Sequence, residues 1–289
     1  MAVSPAVAEA SRSRKPRLQC GYDACAATMA TMLPIRSISS LYPLALAEGE
    51  GIGTAYEYYA KRQVLARWLV NLRPPRRLLI HGLPEKYGSS LDFFLLAEDL
   101  AVTEIVVIDD RQPALEKCQH SVAAAQALGE LTRICPTYIT VPELSLPKEL
   151  AGEFDLCLGS EVVQRFDAGA RRRYISSLMN LTPALALFVP NGDNSSHTSI
   201  SGLAGISLSE LRALIEPVSG PATCGYVDMP PFPPGLTRSV AQRERAASGK
   251  LEGFAMWALG WYARAETFFP SSWRRLHSHI VYALVGRPG

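Results

Sequence analysis

Residues 77–110, RLLIHGLPEKYGSSLDFFLLAEDLAVTEIVVIDD, hold the reading on which the fold turns. Arg77–His81 is a short apolar run, Ser89–Ala101 is a longer amphipathic segment, and Glu104–Ile108 is a second short apolar run. Two runs too short for helices, joined by a helical segment, make a βαβ unit with parallel strands. Neither run alternates polar with apolar residues, so each strand is expected to be covered on both faces. The same texture continues downstream. Strands are expected at Cys135–Val141, Phe154–Leu158 and Ala184–Val189, and helices at Pro113–Leu128, Asp167–Leu181 and Ser207–Ile215. Thr223–Val227 and Ser278–Val285 read as two last strands. The economical solution is an α/β fold, an open and mostly parallel sheet between two helical layers.

Towards the N-terminus, Thr54–Leu72 places Tyr56, Tyr59, Leu65, Trp68, Leu69 and Leu72 near a helical period, and Pro74-Pro75 stops it. Residues 1–50 are rich in Ala, Ser, Pro and Gly, and Glu48–Gly53 (EGEGIG) reads as a flexible joint. Residues 1–75 are therefore expected to form an arm and a helical lid. Residues 76–289 would form the main domain, with an insertion at about 238–275 before the last strand.

The 289 residues are 48% hydrophobic and 19% charged, which describes a folded chain and not a disordered one. Twenty-nine Lys+Arg against 27 Asp+Glu leave a net charge of +2, too little for the broad positive field of a dedicated nucleic-acid binder. Arg12, Arg14, Lys15 and Arg17 are the sole cue towards RNA. The longest nearly apolar stretch, Phe254–Ala263, falls far short of the roughly 20 residues of a membrane span, so none is expected. Six cysteines make no CxxC pair, and Cys118 and Cys157 sit in apolar periodic segments; the reading is reduced thiols and a cytoplasmic protein.

In an open parallel sheet, ligands bind beyond the carboxyl ends of the strands. After the first strand, His81-Gly82-Leu83-Pro84 leads through Gly88 into a helix, a glycine turn that lets a ligand meet unpaired N–H groups. Such turns also use glycine for steric reasons alone. The second strand ends at Asp109-Asp110, placed to accept hydrogen bonds from a ribose hydroxyl pair. Capping of the next helix is the alternative for either acid.

Glu153–Asp167, EFDLCLGSEVVQRFD, gives the reading a family. It is similar to the fourth-strand motif of class I S-adenosylmethionine-dependent methyltransferases, with their seven-stranded Rossmann-like sheet. Val189-Pro190-Asn191 resembles the end of that family's fifth strand, and Ser207–Ile215 the helix after it. The resemblance runs from about Arg77 to Val227, with Ser278–Val285 as its last strand. It implies S-adenosylmethionine as cofactor. His81, Gly82, Leu83, Pro84 and Gly88 would lie against its amino-acid half, Asp109 and Asp110 at the ribose, and Glu143 at the adenine. Gly159, Ser160 and Glu161 would follow the fourth strand beside the methyl group. The chain departs from the family pattern in having His81 where an acid is usual and only two glycines in the first loop. Those departures motivate a second reading, a non-catalytic methyltransferase-like module. A nicotinamide-dependent oxidoreductase ranks last, because no GxGxxG follows the first strand.

Methyl transfer from a sulfonium needs nucleophile and methyl carbon aligned with water excluded, and no metal. An alcohol or phenol also needs a base, and His197 and Glu161 are the candidates. An exposed loop histidine and a helix-start carboxylate are the plain alternatives. His277 and His279 flank the last strand without a nearby metal-ligand partner, and His120 sits on a surface helix. The expected partner is a small-molecule acceptor methylated at oxygen. The aromatic set Phe254, Trp257, Trp261, Phe268, Phe269 and Trp273 either joins the core, lines a pocket for a bulky apolar acceptor, or makes a homodimer contact.

Overall fold

The computed structural model describes residues 33–34, 36–144, 154–232 and 250–286, with the side chains of 250–252 outside that set. Cys20, Cys25 and the basic residues of the arm lie outside the described residues, as does most of the first part of the expected insertion.

Seven strands form one sheet. They are β1 (Arg77–His81), β2 (Glu104–Asp109), β3 (Thr137–Thr140), β4 (Leu156–Ser160), β5 (Ala184–Pro190), β6 (Thr223–Val227) and β7 (Ile280–Gly286). Their order is β3-β2-β1-β4-β5-β7-β6, and every pairing is parallel except those of β7 with β5 and β6. The apolar runs led to a mostly parallel sheet and the family resemblance to a seven-stranded Rossmann-like one, and the structure has both features. Successive strand residues face opposite layers. Leu78, Ile80, Val107, Leu158 and Phe188 pack under helices α1 (Ile38–Ala47), α2 (Ile52–Leu69), α3 (Leu91–Asp99) and α4 (Gln112–Ala127). Leu79, Ile108, Cys157 and Leu187 pack on the other face against α5 (Ala168–Leu181) and α7 (Leu208–Ser219). The short α6 (Ser195–Ser201) follows β5, and α8 (Lys250–Ala265) and α9 (Ser271–His277) precede β7.

Several boundaries differ from the sequence reading, each for a local reason. β4 begins two residues late and takes in Gly159 and Ser160, because the Asp155 carboxylate instead accepts the N–H groups of Arg76 and Arg77 at 2.7 and 2.8 Å. β3 is shorter than expected, starting after Pro136, which has no N–H for the ladder. Ser207 and Asp167 cap α7 and α5 with side-chain oxygens and so stand just outside them. α1 falls in a stretch read as flexible. A capping box between Ser37 and Ser40 starts it, and Ile38, Leu41 and Leu44 are buried. The joint after it is packed too, for Glu48 is buried. Helices α1 and α2 thus share one core with β1 and β5.

The tips of β1, β2, β4 and β5 point the same way from adjacent positions. Because β7 runs antiparallel, its first residue, Ile280, pairs with Pro190 and with Val227. The residues that precede β7 and follow β6 therefore join the same edge. Among the described residues no helix is long and apolar enough to cross a membrane.

Candidate active site

The first loop is fastened to β2. Gly82 has φ +80°, and a Cβ there would run into Val162 of the β4 loop, so glycine is required both by conformation and by space. The next N–H, of Leu83, donates to Asp109 Oδ2 at 2.7 Å. Asp109 is fully buried and accepts further bonds from the Arg111 N–H at 2.8 Å and its guanidinium at 2.9 and 3.0 Å. Burial alone would raise its carboxyl, but Arg111 and the Leu83 N–H outweigh it and hold Asp109 below the usual range. Arg111 also donates to the carbonyls of Leu83 and Pro84 at 2.7 and 3.2 Å, drawing the loop over the β2 tip. Asp110 is more open, with 28% of its side chain exposed, and pairs with Arg165.

His81 faces the opposite layer. It is buried, its Nδ1 lies 2.9 Å from the Tyr174 hydroxyl of α5, and burial pushes its pKa down to about 3, so the ring is neutral. Its position serves packing of α5 on β1. Between the loop and the β2–α4 turn lies a cleft of about 540 Å³, bordered by Leu83, Pro84, Gly88, Asp110, Pro113 and Lys117 among others. Glu143 is exposed after β3 and does not border this cleft.

Glu161, immediately after β4, accepts the Glu85 N–H at 3.2 Å, and burial pushes its carboxyl up to about 7. Its backbone takes φ +55°. Glu85 also lines the cleft, so one loop residue separates the cleft from a second region, rich in acids. There Lys61 of α2 is completely buried between Asp92 Oδ2 at 3.1 Å and Glu57 Oε1 at 3.2 Å, with its ammonium 4.6 Å from the Phe93 ring centre. Burial opposes the Lys61 charge, but Asp92 and Glu57 outweigh it and hold its pKa above the ordinary lysine value. Burial raises Glu57 to about 8 despite Lys61, with Asp228, Glu161 and Asp92 adding like-charge repulsion. Glu266 is pushed up to about 7, chiefly by burial; it accepts the Met229 N–H at 2.5 Å and a bond from the Tyr56 hydroxyl. Glu48 caps α3 through the Leu91 N–H at 2.8 Å and is likewise raised to about 7 by burial.

The proposed base His197 lies in α6, on the same edge. Its ring stacks on that of His279 with centres 4.2 Å apart, and His279 Nδ1 lies 2.9 Å from Asp228 Oδ2. His277 is exposed in α9, stacked on Trp273, and His120 is exposed on α4. Tyr56, Tyr58 and Tyr59 are all buried in the core. Phe254, Trp257 and Trp261 are exposed, at 66%, 60% and 55%, so they do not join it.

The structure thus brings Leu83, Pro84, Gly88 and Asp110 together at the cleft and Glu161 beside it, while Asp109 and His81 are committed to internal partners. Gly159 and Ser160 lie inside β4. Sequence reasoning passed over Glu48, Lys61, Arg111 and Asp228. For Lys61 with Asp92, Glu48 with Leu91 and Asp228 with His279 the partner lies far along the chain, while Arg111 sits two residues from Asp109 in a stretch read only as the start of a helix.

No protein-family model and no curated protein matches the chain. Solved structures do. The methyltransferase domain of a bacterial CtHen1 is similar over 78% of this chain and 99% of its own, at 13% identity and a TM-score of 0.48. An S-adenosylmethionine-dependent methyltransferase from Archaeoglobus fulgidus is similar over 78% and 91%, at 12% identity and 0.48. A magnesium protoporphyrin IX methyltransferase from Synechocystis, solved with bound S-adenosylhomocysteine, is similar over 78% and 82%, at 15% identity and 0.43. The fold itself rests on the sheet order and strand directions above, which are consistent with the class I methyltransferase fold.

Proposed function

We propose that this chain is an S-adenosylmethionine-dependent methyltransferase acting on a small-molecule acceptor at oxygen. The observation that carries the reading is the junction at Glu85: a cleft at the β1 and β2 tips meets, across one residue, an acid-lined region at the β4 and β5 tips. At about 540 Å³ the cleft is within the range of small-molecule sites. The residues present fit the adenosyl group there: Leu83, Pro84, Pro113 and Ala114 offer apolar walls for a flat base, and Asp110 offers a half-open carboxylate for ribose hydroxyls. Asp109 takes a supporting role, fixing the loop through Leu83 and Arg111. Bound, the cofactor supplies an electrophilic methyl carbon on a cationic sulfur, and no metal is needed. The chain's part is to align the acceptor, exclude water and hold its proton.

Native mass spectrometry of the purified full chain tests the reading. Retained S-adenosylmethionine or S-adenosylhomocysteine, or a complex formed when either is added, supports it; the bare mass under both conditions contradicts it. A specific observation favours the second reading, a non-catalytic module: Asp109, the acid at the ribose position, has its oxygens taken by Arg111 and Leu83. Cofactor binding without consumption by a panel of phenols and alcohols would favour that module.

A further inference from the structure

Asp228, His279 and His197 form a constellation at the β5–β6–β7 edge. Asp228 follows β6 and is buried, with one carboxylate oxygen lacking a hydrogen-bond partner among the described residues. Its other oxygen meets His279 Nδ1 at 2.9 Å, and its backbone carbonyl accepts the His279 N–H at 2.7 Å. A carboxylate on Nδ1 fixes the imidazole tautomer and leaves the lone pair on Nε2. That Nε2 has no hydrogen-bond partner among the described residues, and the His279 side chain keeps 15% of its surface exposed. The His197 ring lies nearly parallel to His279, 14° between planes, with its Nδ1 buried and without a partner among the described residues. Burial, and then the neighbouring His279, push His197 down to about 4, which keeps it neutral. Both rings are anchored after β5. Asn194 Oδ1 accepts the His197 N–H at 3.0 Å, and Asn191 and Asn194 both donate to the Ser278 carbonyl, at 2.8 and 3.2 Å.

We infer that His279, oriented by Asp228 and walled by His197, is the general base of the site, and that the acceptor is an alcohol or phenol whose hydroxyl meets Nε2. The inference rests on the methyl-transfer reading above. The hydroxyl proton passes to Nε2, the pair left on oxygen forms the bond to the methyl carbon, and the departing sulfur keeps the pair of the broken C–S bond. His197 is then a positioning residue, giving a flat neutral surface that holds the base in plane.

The test uses the full chain and two readouts besides turnover. Long-range proton–nitrogen spectra should show His279 of the wild type carrying its proton on Nδ1 at pH 8. Diethyl pyrocarbonate, followed by peptide mapping, should modify His279 well before buried His81, and Asp228→Asn should slow that reaction by about 10-fold, as expected when a carboxylate no longer sustains the basic tautomer. Saturating S-adenosylhomocysteine should slow modification of His279 while leaving exposed His120 unchanged. An Nε2–H tautomer, equal rates in wild type and Asp228→Asn, or no protection by a ligand that calorimetry shows to bind would overturn the base assignment. No calorimetric heat with S-adenosylhomocysteine would overturn the methyl-transfer reading itself and the acceptor assignment with it.

Discussion

The two halves of the strand-tip surface handle charge in opposite ways. At the β1 and β2 tips, the acids are matched to arginines: Asp109 to Arg111, Asp110 to Arg165, with loop N–H groups completing the bonds. In the second region Lys61 is fully buried between Glu57 and Asp92, His279 meets Asp228, the Tyr56 hydroxyl and the Met229 N–H meet Glu266, and several polar atoms find no partner among the described residues. Arg111 and a loop N–H drive Asp109 below its usual pKa, whereas burial outweighs Lys61 at Glu57 and the hydrogen bonds at Glu161 and Glu266 and drives all three above theirs. The first half is built to keep a loop in shape. The second holds buried carboxyls up near neutral pH.

The largest effect should come from removing the buried lysine. Lys61→Met leaves Asp92 and Glu57 uncompensated in the interior and should cost about 3–5 kcal/mol in urea unfolding. A cost below ~1 kcal/mol would mean that those acids are already neutral in the folded chain.

The pH dependence of stability comes next. Glu48, Glu161 and Glu266 titrate at about 7 and Glu57 at about 8 in the folded chain, above their ordinary 4.5. The folded state therefore binds more protons than the unfolded state between those values, so their stabilising contribution is complete at low pH and is lost as pH rises through 7 to 8. His81 and His197, lowered to about 3 and 4, act in the opposite sense, but only below their ordinary 6.5. The unfolding free energy should fall by about 2 kcal/mol or more from pH 6.5 to pH 8.5. A rise over that interval would break the contrast between the halves.

Smaller still are the two adjacent acids of the first half. Asp109→Asn should destabilise by about 1–2 kcal/mol, since Arg111 and the Leu83 N–H lose a charged acceptor. Asp110→Ala should change stability by less than ~0.5 kcal/mol, being a half-exposed pair. It should nonetheless weaken S-adenosylhomocysteine binding by about 10-fold, the worth of one hydrogen bond to a charged group. Equal effects of the two substitutions on both measurements would show that the acids do not divide structure from binding.

The sheet was legible because its strands are covered on both faces and so read as unbroken apolar runs. RLLIH and EIVVI became β1 and β2 within a residue of the expectation. The start of β4 was misplaced because Asp155 spends its side chain on β1, which no apolar count reveals. α1 was missed because Ala, Ser and Pro43 mask it, although the Ser37 capping box was present to be found. Of the site, the loop and the acids at the strand ends were legible from position along the chain. The pairings were not: Tyr56 and Glu266 are 210 residues apart, and Arg111 sits two residues from Asp109 with nothing to say that it turns back. His197 and His279 were each visible, but their stacking depends on β7 running antiparallel, which brings its first residues to the carboxyl edge.

The most direct measurement is isothermal titration calorimetry of the full chain with S-adenosylhomocysteine, run beside Asp110→Ala. The expected result is a one-to-one isotherm in the micromolar range, roughly 8 kcal/mol, weakened in the variant. An absence of heat with the wild type, or an affinity indifferent to Asp110, would contradict it.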